Sequence, residues 1–302
     1  MMAKSVVGRT ASHFRSIELI VGLVLLGTML SLVLTSGWLF PDGGTTMDLA
    51  ARLIRPFAQR QHLLGTDPIG RDVLARIAVG GEVSLLVGVV SVSGAVLLGT
   101  AIGLMAGYFR GLVDLIVMRL VDVQLAMPFI LLALTFIAIF GSGLSILIIL
   151  MIAAQWVQYA RLVRGLTMSL REREFVQSAR AIGVRSAKII LVHILPNAVG
   201  PIIVLMTLNV ATNILLESSL TFVGLGVDPT VPSWGGMLAD GRTYVQSAWW
   251  VTVFPGLAIM FVVLGLNRSA HRLFRVAGDE DVERPRRREI EDRGHFLPCG
   301  SR

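Results

Sequence analysis

The sequence predicts an all-α, polytopic membrane protein of six transmembrane helices with both ends on the inner side of the bilayer. Three observations carry this. The 302 residues are 54% hydrophobic and only 16% charged, against about 25% charged in soluble domains, and the mean hydropathy is +0.73. The apolar residues gather into runs of the length needed to cross a hydrocarbon core, about 20 residues each. The basic residues gather beside alternate runs, the pattern that fixes orientation across a membrane. The net charge of +7 therefore reads as topology, with the lipid bilayer as partner, and not as a nucleic-acid surface.

The N-terminal flank carries Lys4, Arg9 and Arg15 and no acid, so it is expected inside. The first span covers about residues 17–40. It is long for a signal-peptide core and has no small-residue cleavage site before Phe40, which predicts that it is retained. Residues 41–82 form a polar connection with five arginines and five acids, which casts no vote on sidedness. The second span, about 83–109, holds Ala95, Gly99, Gly103 and Gly107 at every fourth position. Such a ridge of small residues lets another helix approach closely. The third span, about 115–140, contains Arg119 and Asp122, three apart and able to pair, and Pro128, which bends or breaks it. The fourth, about 144–159, ends at Trp156 and Tyr159.

Residues 169–196, a charged island, follow. Ser169 and Glu172 have capping-box spacing for a first short helix. Phe175, Ala179 and Ile182 recur on one face of it, with Arg173, Gln177 and Arg180 opposite. Gly183 ends that helix, Ser186 caps a second, and Pro196 stops or kinks it. The result is an amphipathic elbow. From the residues alone, a solvated loop or a helix lying on lipid headgroups stays open. Between residues 161 and 196 there are seven basic and two acidic residues, so the island is expected inside, and counting spans back places the N-terminus inside too.

The fifth span, about 197–223, contains Asn213 and Glu217, four apart on one face. A carboxylate in a span costs roughly 2.5–3.5 kcal/mol on insertion scales, so Glu217 is expected in the bundle interior or a wet cavity. It is either a residue of a translocation path or a hydrogen-bonded packing residue or gate latch. Residues 224–247 are rich in Gly and Pro and are expected outside, with Trp234 as a loop anchor. The sixth span, about 248–267, opens on Trp249 and Trp250 at the interface, and a mixed-charge tail occupies 268–302. Three regions result: 1–82; a core, 83–267, with the elbow at 169–196; and the tail. The single cysteine, Cys299, excludes an intrachain disulfide.

Gln177, Ser178, Ala179, Gly183, His193, Leu195 and Pro196 keep the spacing of the Glu-Ala-Ala loop of bacterial ABC importer permeases, which this chain resembles. Gln177 stands for the usual Glu, Ser178 for Ala and His193 for Ile. HLLGTDPIGRD at 62–72, RLVDVQLAMPF at 119–129, LLESSLTFVGLGVDP at 215–229 and PSWGGMLADGR at 232–242 also look like DppC/OppC-like permeases, the C-type subunits of peptide and nickel importers. Beyond Asn267 the chain departs from the family pattern.

The resemblance implies a type-1 importer permease fold in the bacterial cell membrane. It further implies a second, DppB/OppB-like permease subunit, two ATP-binding subunits or one fused ATPase, and an extracytoplasmic substrate-binding protein. ATP and Mg belong on the ATPases, with no cofactor on this chain. The elbow residues Phe175, Gln177, Ser178, Ala179, Ile182, Gly183, Leu195 and Pro196 would couple to the ATPase, and Asn213 and Glu217 are the candidates for path or gate. The chain's two lysines lie outside any phosphate-binding loop, and no zinc-protease or serine-hydrolase motif is present, so the chain itself is expected to be non-catalytic. A secondary carrier or channel remains the rival, with a membrane scaffold as a third reading. Nickel or glutathione-like substrates remain alternatives to peptides.

Overall fold

A computed structural model of the chain describes residues 20–270. The basic N-terminal flank, Cys299 and the tail beyond residue 270 lie outside the described residues. The helices are α1 (Ile20–Leu34), α2 (Ser36–Leu39), α3 (Val73–Phe109), α4 (Gly111–Ala126), α5 (Phe129–Phe140), α6 (Leu144–Arg171), α7 (Glu174–Ala181), α8 (Ser186–Lys188), α9 (Leu195–Val223), α10 (Trp234–Gly241) and α11 (Trp250–Ala270). Among the described residues the only β-type pairing is an isolated bridge between Thr66 and Asp72. Four helical runs are long and apolar enough to cross a membrane: α3, α6, the continuous run Ser186–Val223, and α11. The pair α4 and α5 supplies a fifth crossing if the two are taken as one span. Over its described length α1 is apolar but shorter than a span.

Helix α3 starts at Val73, well before the expected 83. Asp72 accepts from the Ala75 amide (2.8 Å) and caps it. Arg76 and Glu82 made this turn look like a polar connection. Both charges find partners within the chain, buried Arg76 in Asp67 and Asp240 and exposed Glu82 in the Ser36 hydroxyl. Midway along the bundle Met127 takes an extended backbone (φ −88°, ψ 127°) ahead of Pro128. The chain there turns by 95° between α4 and α5, which is the break that Pro128 predicts. The expected Arg119–Asp122 pair does not form. Asp122 pairs with Arg161 (3.2 Å) and Asp114 with Arg164 (2.6 Å), because α6 runs alongside α4 and its arginines reach across.

The middle of the bundle is α3, clasped by α6 on one side and α9 on the other. The small residues of α3 set the first contact. A Cβ at Gly103 would stand 2.6 Å from the Ala160 carbonyl oxygen, and one at Gly107 2.7 Å from Thr167 Cβ; Gly99 faces the backbone of Trp156 and Ala160. Ala95 is fully buried in the same seam. Backbones this close leave no room for a methyl group, so Gly103→Ala is expected to cost about 1–3 kcal/mol by overpacking. Gly165, also helical but with no atom within 4 Å of its Cβ position, is the control. Gly165→Ala should be neutral or stabilising by about 0.5–1 kcal/mol. Thermal melts of the two variants in detergent should move in opposite directions.

Candidate functional site

Two regions hold the residues that the sequence singles out, one at each end of the run Ser186–Val223. The first is the elbow. Helix α6 does not end near Tyr159, as the sequence predicts; it continues to Arg171, with Glu172 as its C-cap, and α7 starts at Glu174 without a side-chain cap. The Ser169–Glu172 capping box is therefore absent. Glu172 is instead drawn to Arg110 at the corner between α3 and α4 (2.6 Å). The C-terminal end of α7 follows the sequence expectation closely. Gly183 takes φ +80°, its amide donates to the Arg180 carbonyl (3.0 Å) and the Val184 amide to Ala179 (3.1 Å). These two bonds close a Schellman motif.

Phe175, Ala179 and Ile182 do not form one exposed face. Ala179 is buried with Val176, a residue the sequence reading missed, against Leu104, Tyr108, Ile189 and Ile190. Phe175 (44% exposed) and Ile182 (81%) face outward. Val176 and Ala179 are three apart and pack the elbow on its own bundle, which divides the apolar residues between an inner and an outer face. Ser178 and Gln177 are exposed beside Phe175. The Gln177 amide donates to the Glu172 carbonyl (3.2 Å), tying α7 to the end of α6. A carboxylate at this position has no proton to give.

Ser186 is the first residue of α8 and not its cap. Pro196 does not end the second helix either. The turn before it, Ile189–Ile194, is a π-helix, and the run continues unbroken to Val223. Proline lacks an amide and crowds the preceding turn, and the wider π turn makes room for it. Leu195 is half-buried and Pro196 exposed at the start of α9.

The second region is built on α9. Asn213 and Glu217 are fully buried. Glu217 accepts from Ser84 on α3 (3.0 Å), from Ser218 (3.2 Å) and from Thr221 (3.0 Å). The Ser84 hydroxyl oxygen also receives the Trp234 amide (3.3 Å), so one carboxylate joins α3, α9 and α10. Asn213 donates to Ser91 (2.6 Å) and accepts from Gln155 on α6. One turn further in, Asn209 donates to Tyr159 (2.9 Å) and Gln158 (3.2 Å). Hydrogen bonds between spans are the attraction left where lipid removes the hydrophobic drive. In this geometry both side chains are hydrogen-bonded between helices of the bundle. Sequence reasoning missed Ser84 and Ser91, although their spacing of seven puts them on one face of α3, where they meet the Asn213 and Glu217 stripe.

Beyond Ser84 lies a charge cluster within what the sequence reading treated as a polar connection. Asp67, fully buried, accepts from Arg71 (2.6 Å) and Arg76 (2.8 Å), and both arginines reach Asp240 at the end of α10 (3.0 and 3.1 Å). Trp234 is an anchor: it is fully buried, and its indole N–H donates to the Ile77 carbonyl (2.9 Å). Trp250, expected at the membrane interface, is buried and donates to the Thr66 carbonyl (3.1 Å), leaving Trp249 as the exposed member of the pair. In the loop before α10, the Thr230 hydroxyl and amide hold the Asp228 carboxyl below its ordinary range. Among the described residues no group of three His, Cys, Asp or Glu side chains could hold a metal ion.

Comparison with known proteins places this arrangement. Residues 99–276 match the family described as "Binding-protein-dependent transport system inner membrane component". The chain is 42% identical over 248 residues to the dipeptide transport system permease protein DppC of Alkalihalophilus pseudofirmus, covering 82% of this chain and 81% of that protein. It is 34% identical over 254 residues to the oligopeptide transport system permease protein OppC of Haemophilus influenzae, covering 84% and 82%. A chain of the inward-facing MetNI methionine ABC transporter superposes with a TM-score of 0.52 over 67% of this chain and 96% of that one, at 18% identity, a likeness of fold. Family, fold and apolar helices agree, and the chain belongs to the inner-membrane components of binding-protein-dependent transport systems, as a multi-pass membrane protein with the type-1 importer permease fold.

Proposed function

We propose that this chain is one of two permease subunits lining a path for dipeptides and short oligopeptides, moved by ATPases that dock on its elbow. The observation that carries this is the division of α7. Val176 and Ala179 fix the helix to the bundle, while Phe175 and Ile182 stand free on the other side. That is the geometry of a helix that seats in a groove on a neighbour and passes its motion inward. On this reading six spans carry both ends inside, ATP and Mg stay on one or two cytoplasmic ATPases, and a substrate-binding protein delivers peptide from outside. This chain binds no cofactor and catalyses nothing.

The test is ATP-dependent uptake of a labelled dipeptide by the assembled transporter, compared with vesicles holding this chain alone. Uptake only in the presence of the ATPases and the binding protein supports the proposal. Uptake by the chain alone would show a self-contained carrier, and uptake of nickel or glutathione in place of dipeptide would move the substrate class. Gly183→Val probes the elbow. No atom lies within 4 Å of the Gly183 Cβ position, so the cost is that of a left-handed backbone, about 1–2 kcal/mol, too little to remove the protein from the membrane. Uptake should be lost while membrane abundance is kept; normal uptake would take the elbow out of the mechanism.

A further inference from the structure

Where Pro128 breaks the chain between α4 and α5, a cavity of about 250 Å³ opens toward α6 and α9. Its polar lining is three glutamines and a threonine, Gln124, Gln155, Gln158 and Thr212, with Met127 and Phe129 of the break itself on its wall. No charged side chain, histidine or cysteine lines it. Three independent features meet here. The first is the break: non-helical backbone at membrane depth is tolerated where it is buried in protein or borders a wet cavity. The second is Gln155, a buried residue whose Nε2 donates to Asn213 and whose Oε1 has no partner, at a cost of about 1–3 kcal/mol for a buried acceptor. The third is the way the amides are held. Gln124 bridges to the Ala153 and Ala154 carbonyls (2.5 and 3.2 Å) and receives the Trp156 indole N–H (3.0 Å). Gln158, exposed, accepts from Asn209 (3.2 Å).

We infer that this cavity is a subsite for the main chain of the transported peptide, an inference that rests on the peptide-permease reading above and deepens it. A carboxamide carries both a donor and an acceptor, as does a peptide unit, so the two pair whatever the peptide's side chains are. A bare metal cation would require carboxylate, imidazole or thiolate ligands, and an inorganic anion would require arginine or lysine; the lining offers none of these, so it meets the peptide's uncharged amide and leaves the charged termini to other parts of the path. The volume is below the roughly 300–1,000 Å³ of sites for drug-sized ligands, a size for one or two residues of a longer path. Asn213 acts as a positioning residue, holding Gln155 through its amide.

The test uses the assembled transporter in proteoliposomes with Cys299→Ser and Thr212→Cys. Thr212 is exposed and donates only to the Leu208 carbonyl of its own helix, so the change spares the packing. Dipeptide uptake by the Cys299→Ser transporter is measured first, and its absence overturns the peptide-permease reading together with the subsite. Given that uptake, a maleimide is expected to alkylate the introduced thiol, to do so at least fivefold more slowly in the presence of dipeptide, and to stop transport once attached. Alkylation at the same rate with and without dipeptide, full uptake after alkylation, protection by nickel ion alone, or no alkylation in the complex would each overturn the subsite and leave the peptide-permease reading intact. Gln158→Leu should raise KM for dipeptides of unrelated side chains by a similar factor; a change confined to one dipeptide would show side-chain reading instead.

Discussion

Asp67→Ala is expected to lower stability by about 3–5 kcal/mol, the cost of stripping one partner from a buried ion pair, and so to leave little folded protein in the membrane. The Asp67 side chain is 1% exposed and the Arg76 side chain 3%, so water cannot replace the lost carboxylate. The same carboxylate also accepts the Ile69 and Arg71 amides (both 2.9 Å), and the loop that caps α3 loses its shape with it. Asp240→Ala is the contrasting variant. It touches the same two arginines, but its side chain is 39% exposed and solvent compensates, so about 1 kcal/mol is expected. Membrane abundance and detergent melting curves separate the two. Equal, small effects would mean that the cluster is solvated and holds nothing together.

Ile182→Asp should leave stability almost unchanged and reduce ATP-dependent uptake by about 100-fold. Ile182 is 81% exposed in the isolated chain, where a surface change is usually worth within about 0.5 kcal/mol. In a complex whose apolar groove covers it, the same carboxylate is buried without a partner, a loss of about 2–4 kcal/mol typical of a central interface residue. Ala179→Asp is the counterpart on the inner face. It should fail earlier, through loss of folded protein, since Ala179 is buried in the elbow's own core. An Ile182→Asp transporter that still takes up peptide at the parent rate would remove the exposed face of α7 from ATPase docking.

How much of this was readable beforehand follows from the range of the forces involved. Gly183 was legible because one backbone conformation decides it, and Pro128 because one missing amide and one ring do. Glu217 was legible as a buried group because charge in an apolar run has few places to go. The start of α3 was not legible, since Arg76 and Glu82 look like loop residues until Asp67, Asp240 and Ser36, distant in sequence, arrive to meet them. The elbow's two faces were confused for a similar reason. Periodicity places Phe175, Ala179 and Ile182 on one stripe, but the bundle covers only the side holding Val176 and Ala179. Pro196 shows a local rule being overridden, because a π turn absorbs what an α-helix would not. The glutamine cavity had no signature at all: its lining comes from four helices, and amides in membrane spans look like ordinary packing until a break opens beside them.

The continuity of the run Ser186–Val223 has a mechanical corollary. At about 1.5 Å per residue these 38 residues form a strut of roughly 57 Å, with Ile189 and Ile190 gripped by α7 near one end and Glu217 gripped by α3 and α10 near the other. A rod held at both extremities behaves as a crankshaft: a tilt of about 5° imposed at its foot sweeps its head through about 5 Å. That travel exceeds the length of the hydrogen bonds at the Ser84–Glu217–Trp234 junction, so on the coupling proposed above a push at the elbow would be felt at the far end of the strut as strain on a single carboxylate.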